Sequence, residues 1–232
     1  MSQKINKKKI EEKKGEAVFT KLETTTYKTE AFFEKNAKVI GGIFGAVLLA
    51  ALGYFAYLKM YVEPRNESAL SDLAKVQNDI NAGDYEKALK GQTGSYNGLD
   101  KIISEYGGTD AGNVAKYYAA VSNYQKGDYK KALDLLDEFS TSEEILSAMK
   151  IGMQGDCYSQ LKNYDKALEL YEKASQENEN ELTTPLYLKK QGILALTLGK
   201  KDKALAAFTK IKEKYEQTIY GQEIDKYIAR SK

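Results

Sequence analysis

The sequence predicts an all-α protein in which a single N-terminal transmembrane helix is followed by an α-solenoid, a stack of short helical hairpins. Three observations support this prediction. The run over residues 39–58 carries no charge, one turn pattern recurs four times in the rest of the chain, and only two prolines occur. Scarce proline favours long helices, because proline removes a backbone donor and clashes inside a helix.

Residues 1–38 form a basic arm. They contain ten lysines against six acidic residues and few large apolar side chains. Such a segment buries too little apolar surface to offset the entropy lost on folding. We therefore expect residues 1–38 to be a largely disordered arm that either contacts anionic headgroups or only sets the membrane topology.

Residues 39–58 are predicted to form the transmembrane helix. This uncharged run, at about 1.5 Å per residue, reaches roughly 30 Å, the thickness of the hydrocarbon core of a bilayer. Lys38 and Lys59 bound the run, and tyrosines near its C-terminal end suit the membrane interface. A buried core helix and a cleaved signal peptide are the alternatives. The preceding arm is long for a signal peptide, and no clear cleavage site follows the run.

The distribution of lysine predicts the orientation of this helix. The arm before the span is rich in lysine, whereas the spacer predicted at residues 59–68 carries two basic and two acidic residues. The positive-inside rule then places the N-terminus in the cytoplasm and the C-terminal domain on the far side. In a diderm bacterium these positions correspond to the inner membrane and the periplasm.

Small residues form a possible contact face within the span. Gly41 and Gly45 have the G-x-x-x-G spacing, and Gly42 and Ala46 repeat it one residue later. Small residues at this spacing let two membrane helices approach closely, so these four are candidates for a helix–helix contact. The alternative is that glycine is simply common in membrane helices.

A turn pattern recurs four times in the domain predicted over residues 69–232. Each copy ends in Lys-Ala-Leu, and its alanines recur at similar intervals along the chain: Ala88, Ala132, Ala167 and Ala204. Each copy is interpreted as a helix, a tight turn and a second helix. Asp or Asn at the turn caps the second helix, and the alanine lies where the two helices approach.

This pattern resembles the tetratricopeptide repeat, a helical hairpin of about 34 residues. The resemblance covers roughly residues 69–211, and its best copy covers residues 148–181. Residues 212–230 are predicted as a closing helix with Tyr215 and Ile219 facing inward, because a solenoid needs a cap. The positions that carry the match in the best copy are Gly155, Tyr158, Ala167, Tyr171 and Ala174.

Composition argues against several functions. The chain has no histidine and one cysteine, Cys157, so it lacks the commonest general base and metal ligand. Residues 59–232 carry 25 basic and 27 acidic groups, too little positive charge for a nucleic-acid partner. No phosphate-binding glycine loop or nucleophile motif is present. We therefore expect no enzymatic activity, no cofactor or metal, and no small-molecule substrate.

A solenoid of this kind presents a concave surface lined by the first helix of each hairpin. Such a surface usually holds another polypeptide, an inference that rests on fold analogy. Tyrosines there offer amphipathic contact area, although they serve equally well as packing between repeats. The candidate groove residues are Tyr117, Val121, Tyr124, Gly152, Asp156, Ser159, Lys189 and Ile193.

The whole arrangement of basic arm, single span, spacer and weak repeats looks like YfgM-type ancillary subunits of the Sec translocon. The segment Glu-Tyr-Gly-Gly-Thr-Asp-Ala-Gly-Asn at residues 105–113 also looks like versions from Bacteroidota. The resemblance implies contact with the translocon and a role among periplasmic chaperones that bind exported proteins. The alternative is a scaffold for envelope assembly or cell division, of the Tol–Pal or outer-membrane assembly type.

Overall fold

The computed structural model describes residues 34–232, so the prediction for the arm lies almost entirely outside the described residues. The chain divides into two compact units, one that ends at Tyr61 and one that spans Val62–Lys232. In the first unit, residues 34–57 form helix α1. A π-helical turn follows over Leu58–Val62. The residues predicted as a spacer, 59–68, are therefore helical.

The second unit is built from helices and one small β-hairpin. Strands β1 (Gly91–Gln92) and β2 (Tyr96–Asn97) are antiparallel. The helices are α2 (Glu63–Asn81), α3 (Tyr85–Lys90), α4 (Leu99–Tyr106), α5 (Asp110–Gln125), α6 (Tyr129–Glu138), α7 (Glu144–Gln160), α8 (Tyr164–Gln176), α9 (Thr183–Thr197), α10 (Lys201–Lys214) and α11 (Ile224–Ser231).

Four antiparallel helix pairs account for most of these elements. They are α2–α3, α5–α6, α7–α8 and α9–α10, and successive pairs contact one another through α2–α5, α6–α7 and α8–α9. The predicted fold class is thus confirmed: an all-α chain of helical repeats with one N-terminal helix that could span a membrane. The β-hairpin and α4 form an insertion between the first and second pairs. Helix α3 ends at Lys90 after six residues, and the insertion follows it directly.

The turns of the four pairs share one backbone geometry. The residue before each cap has a left-handed φ, a conformation that glycine adopts without strain. Three of these residues are glycines and one is a lysine: Gly83 (φ 77°), Gly127 (φ 86°), Lys162 (φ 62°) and Gly199 (φ 72°). In the first three turns the next side chain accepts a hydrogen bond from the backbone N–H three residues on, as predicted: Asp84, Asp128 and Asn163.

Glycine and an aromatic ring are paired inside the last two hairpins. A Cβ added at Gly155 would lie 2.8 Å from the ring of Tyr171, and one at Gly192 would lie 2.4 Å from the ring of Phe208. The glycine and the ring have the same separation along the chain in both pairs, and the ring of the second helix covers the glycine of the first. The second hairpin has Ala120 and Leu136 at the corresponding positions, and both are fully buried.

The C-terminal closing helix is shorter than predicted. Residues 216–223 form turns rather than continuing a helix over 212–230, and only Ile224–Ser231 is helical beyond them. Tyr215 is buried as expected, but Ile219 is 71% exposed. Turn hydrogen bonds replace the helical ones here, including Gly221 N–H to the Thr218 carbonyl, and a Cβ at Gly221 would lie 2.4 Å from the carbonyl oxygen of Glu216.

A buried acidic side chain fastens the insertion to the first hairpin. The carboxylate of Asp79, on α2, accepts hydrogen bonds from Lys87 Nζ at 2.9 Å and from the hydroxyl of Tyr96. Burial alone would raise the pKa of Asp79, but these two hydrogen bonds outweigh it and lower the pKa. Asn97 adds a second link by donating to Asp72 at 2.8 Å.

Candidate protein-binding groove

The candidate groove residues lie on the first helices of three successive hairpins. We use the name first-helix face for the surface that α5, α7 and α9 present through these residues. Steps of three or four residues along each helix keep them on one side of that helix. The members are Tyr117, Val121 and Tyr124 on α5, Gly152, Asp156 and Ser159 on α7, and Lys189 and Ile193 on α9.

Asp156 is the charged centre of this face. Its two carboxylate oxygens accept hydrogen bonds from Lys190 Nζ at 2.8 and 2.6 Å, and one of them also accepts from the Tyr171 hydroxyl at 2.8 Å. The side chains of Asp156 and Lys190 are only 19% and 35% exposed. The ion pair therefore joins α7 to α9, and the tyrosine ties α8 to it.

Four tyrosines are close enough to Asp156 to respond to its charge. Burial is the main cause that raises the pKa of Tyr117, Tyr124, Tyr171 and Tyr187, and the negative charge of Asp156 raises each of them further. The four side chains come from α5, α8 and α9. They stay neutral at physiological pH. Tyr117 and Tyr124 are half-buried, whereas Tyr171 and Tyr187 are only 5% and 4% exposed and pack inside the fold.

Two of the predicted groove tyrosines also pack against neighbouring helices. The Tyr117 ring lies 5.3 Å from the ring of Phe139, which follows α6, and the Tyr124 ring lies 5.4 Å from that of Tyr129 in α6. Both Tyr117 and Tyr124 are half-buried. Each therefore contributes one side to packing between helices and leaves the other on the first-helix face.

Gly152 lies beneath the face instead of at its surface. It is buried, and a Cβ there would lie 1.9 Å from a carbon of the Tyr187 ring. The glycine lets this ring rest directly on the backbone of α7. Tyr187 is itself only 4% exposed, so this position belongs to the packing between α7 and α9.

The remaining predicted residues lie toward the C-terminal part of the face. Lys189 Nζ lies 5.7 Å from the ring centroid of Tyr220 and 5.4 Å from that of Tyr227, within cation–π range. Ile193 is 39% exposed. Val121 and Ser159 are half-buried. The closing segment of the chain therefore supplies aromatic rings to this end of the face.

Three residues of the site were not identified from the sequence: Tyr171, Tyr187 and Lys190. Tyr171 belongs to a second helix, and it reaches Asp156 because Gly155 leaves room for its ring. One signal in the sequence could have indicated the position of Tyr171. Gly155 and Tyr171 have the same separation along the chain as Gly192 and Phe208 in the next hairpin. Lys190 follows Lys189 directly, and no local feature indicates which of the two pairs with α7.

The described residues offer little that could perform chemistry. No group of histidine, cysteine, aspartate or glutamate within residues 34–232 is arranged to hold a metal ion. Cys157 is fully buried, and burial raises the pKa of its thiol to about 12. A thiol with this pKa is protonated at neutral pH and is a poor nucleophile.

Helix α1 carries the second candidate site. It belongs to a helical stretch, Glu34–Asn81, that is long and apolar enough to cross a membrane. Its apolar side chains are exposed, for example Phe44 at 75% and Leu49 at 71%. A Cβ added at Gly41, Gly42 or Gly45 would meet nothing within 4 Å. These glycines, with the exposed Ala46, leave a smooth surface open to another helix.

A stack of helical hairpins defines the class of helical-repeat scaffolds, whose usual role is to bind other polypeptides. Comparison with known families agrees with this class. Residues 30–224 match the family described as tetratricopeptide repeat-like domain, so the chain belongs to that family. The matched residues include the apolar run of α1. Comparison with curated proteins found no match.

Proposed function

We propose that this chain is a membrane-anchored protein-binding module and that its first-helix face holds the bound polypeptide. Domains of the tetratricopeptide repeat-like family are protein–protein interaction modules, and such folds are typically non-catalytic scaffolds. The observation that carries the proposal is the group of partly exposed side chains on the first helices, the half-buried Tyr117 and Tyr124 together with Ile193, which is 39% exposed. Tyrosine is enriched at protein interfaces because a rigid apolar ring carries a hydroxyl that remains wet.

The anchor is the apolar surface of α1. Soluble proteins rarely leave a long contiguous apolar surface in water, whereas a lipid environment stabilises it. The lysine-rich arm that precedes α1 supports an orientation with the N-terminus in the cytoplasm. The repeat domain then lies on the opposite side, which is the periplasm if the membrane is a bacterial inner membrane.

The specific setting we favour is the Sec translocon and the periplasmic chaperones around it. The support is the resemblance to YfgM-type subunits in the order of arm, span, spacer and repeats. A repeat domain tethered next to the exit of the translocon meets exported chains while they are still unfolded. In this setting the partners are translocon subunits, chaperones or exported proteins.

Site-specific photo-crosslinking in native membranes tests the proposal. A photoreactive side chain is placed at Val121 or Ile193 on the first-helix face, and at Glu169 on α8 as the control. Glu169 is 65% exposed and pairs with Lys166 within its own helix. We expect crosslinks to exported proteins, chaperones or translocon subunits from the first two positions only.

Other outcomes discriminate against the proposal. Crosslinks to envelope-assembly or division proteins without any exported chain would favour the scaffold of the Tol–Pal or outer-membrane assembly type. Equal crosslinking from Glu169 would contradict the assignment of the first-helix face. Separately, a reporter fused after Lys232 should be active only in the periplasm, and activity in the cytoplasm would overturn the orientation.

A further inference from the structure

We infer that the N-terminal end of the first-helix face binds a polypeptide segment in which Lys or Arg side chains stand beside apolar ones. This inference rests on the proposed function and names the chemistry of the bound partner. It depends on a surface at the starts of α5, α7 and α9, which we call the helix-start edge. Its apolar members are Val114, Ile145, Met149, Leu182 and Leu186, and its acidic members are Asp110, Glu143 and Glu181.

The apolar side chains of this edge recur at equivalent positions in successive hairpins. Val114, Met149 and Leu186 stand equally far before the left-handed turn residue of their own hairpins, and Ile145 and Leu182 share the position one helical turn earlier. Val114, Ile145 and Leu182 are 39%, 43% and 59% exposed, and the other two are half-buried. A single exposed apolar residue is ordinary, whereas recurrence in neighbouring hairpins builds a patch of the kind that marks a binding site.

Contacts between neighbouring helices hold these helix starts together. Near the start of α7, Lys150 Nζ donates to the carbonyl oxygen of Phe139 at 2.6 Å. The ring of Phe139 lies 5.3 Å from that of Tyr117 on α5. On α9, the Tyr187 hydroxyl donates to the carbonyl oxygen of Met149 at 3.5 Å. The starts of the three first helices therefore adjoin, and their apolar side chains form one strip along the helix-start edge.

The exposed charge along this strip is acidic. Asp110, Glu143 and Glu181 are all exposed, and each lies within one helical turn of an apolar member of the strip. Within residues 34–232 none of these three carboxylates forms an ion pair. The lysines nearby are already engaged: Lys116 is only 16% exposed and lies 3.6 Å from the carboxylate of Glu138, and Lys150 is bound as described above.

A segment that brings Lys or Arg to this edge places cations against carboxylates that have none, while its apolar side chains cover the strip. A carboxylate on the segment would instead be repelled and would lose hydration without gaining a partner. Lys189 lies about two helical turns beyond Leu182, over the rings of Tyr220 and Tyr227, and so outside the strip. The helix-start edge thus fits a segment that is both basic and apolar.

Peptide binding to the full-length chain in phosphatidylcholine nanodiscs tests the inference. Fluorescence anisotropy is recorded with three labelled peptides that share one apolar core and carry Lys, Gln or Glu at its flanks, and empty nanodiscs supply the blank. The wild type should bind the Lys peptide about tenfold more tightly than the Glu peptide, with the Gln peptide between them. Because salt screens exposed charges, this difference should shrink when the salt concentration is raised from about 0.05 M to about 0.5 M.

Neutralising the acidic members tests their part in the selection. The triple variant Asp110→Asn, Glu143→Gln and Glu181→Gln should lose most of the preference for the Lys peptide over the Glu peptide and should bind the Gln peptide as the wild type does. A matched control changes the net charge equally through exposed acidic residues of second helices and should keep the preference. Its substitutions are Asp134→Asn, Asp202→Asn and Glu213→Gln.

Replacing apolar members tests the strip itself. Ile145→Gln combined with Leu182→Gln removes its two most exposed side chains. This variant should bind all three peptides about fivefold more weakly and should keep the order of preference. Far-UV circular dichroism and thermal melting of each variant show that its fold is retained.

The outcomes distinguish this inference from the proposed function. Equal binding of the Lys and Glu peptides by the wild type, or an equal loss of preference in the control variant, would overturn the inference alone. Photo-crosslinks from Leu182 to a second copy of this chain only would assign the edge to self-association and overturn it as well. If no peptide bound, crosslinks to partner proteins from Val121 and Ile193 would retain the proposed function without this inference, and their absence would overturn both.

Discussion

Replacing Gly192 by alanine tests the register of the repeat packing. A Cβ at this position would lie 2.4, 2.6 and 2.9 Å from three carbons of the Phe208 ring, whereas ordinary contacts lie at 3.4–4 Å. Phe208 is fully buried, so the ring must move by about 1 Å against close-packed neighbours. Overpacking of this kind costs about 1–3 kcal/mol. Alanine regains about 0.5–1 kcal/mol over glycine in a helix. We expect Gly192→Ala to lower the free energy of unfolding by about 1 kcal/mol, and by about 2.5 kcal/mol at most.

Urea unfolding of the full-length protein in detergent, followed by far-UV circular dichroism, measures this change. Gly155→Ala is the graded comparison, since its Cβ would lie farther from the Tyr171 ring, at 2.8 Å, and it should cost less. Phe208→Leu combined with Gly192→Ala recreates the Ala120–Leu136 arrangement of the second hairpin. The double variant should be more stable than the sum of the single effects, by about 1 kcal/mol. Stability of Gly192→Ala at or above that of the wild type would refute the packing argument.

Four further predictions concern the turns and the buried groups. Lys162→Gly should raise the urea midpoint, with a gain of about 0.5–1 kcal/mol, because it removes a left-handed non-glycine residue. Asp128→Ala should lower stability by about 1 kcal/mol in the same assay through loss of its cap on the Lys131 N–H. Burial raises the pKa of Tyr171 and Tyr187, so the stability they contribute is complete below about pH 9 and is lost as the pH rises past the ordinary tyrosine value near 10. Tyr171→Phe should flatten this alkaline loss in thermal melts, and an unchanged pH profile would contradict it. Cys157 should react slowly with a maleimide until urea unfolds the chain, because its thiol is buried and its pKa is raised; rapid native labelling would show the opposite.

The turns between paired helices show how much of the fold the local sequence predicts. Gly83 and Gly127 precede an aspartate and a Lys-Ala-Leu helix start, and both turns have the expected left-handed residue and cap. The fourth turn departs from the pattern, because Lys200 follows Gly199 and provides no side-chain cap. The helix starts there all the same, since its burial against α9 outweighs one missing hydrogen bond.

The closing segment shows where local pattern fails. Hydrophobic spacing across residues 212–230 fits a helix, yet the chain turns at 216–223 and leaves Ile219 exposed. The backbone at Gly221 comes close to that of Glu216, and the turn brings α11 back into contact with α10. Hydrophobic spacing shows which residues are apolar, but it does not show which neighbouring element of the fold will bury them.

The sequence by itself determined the properties that depend on neighbours along the chain. These include an apolar run long enough for a bilayer, the capped turns, and the placement of candidate residues on first helices. Only the tertiary structure decided that Asp156 pairs with Lys190, from a different hairpin, and that Tyr171 and Tyr187 surround the pair. The physical reason is that the ion pair needs α7 and α9 to bring their side chains within hydrogen-bond distance, and the Tyr171 hydroxyl is added from α8. No spacing within a single helix encodes that arrangement.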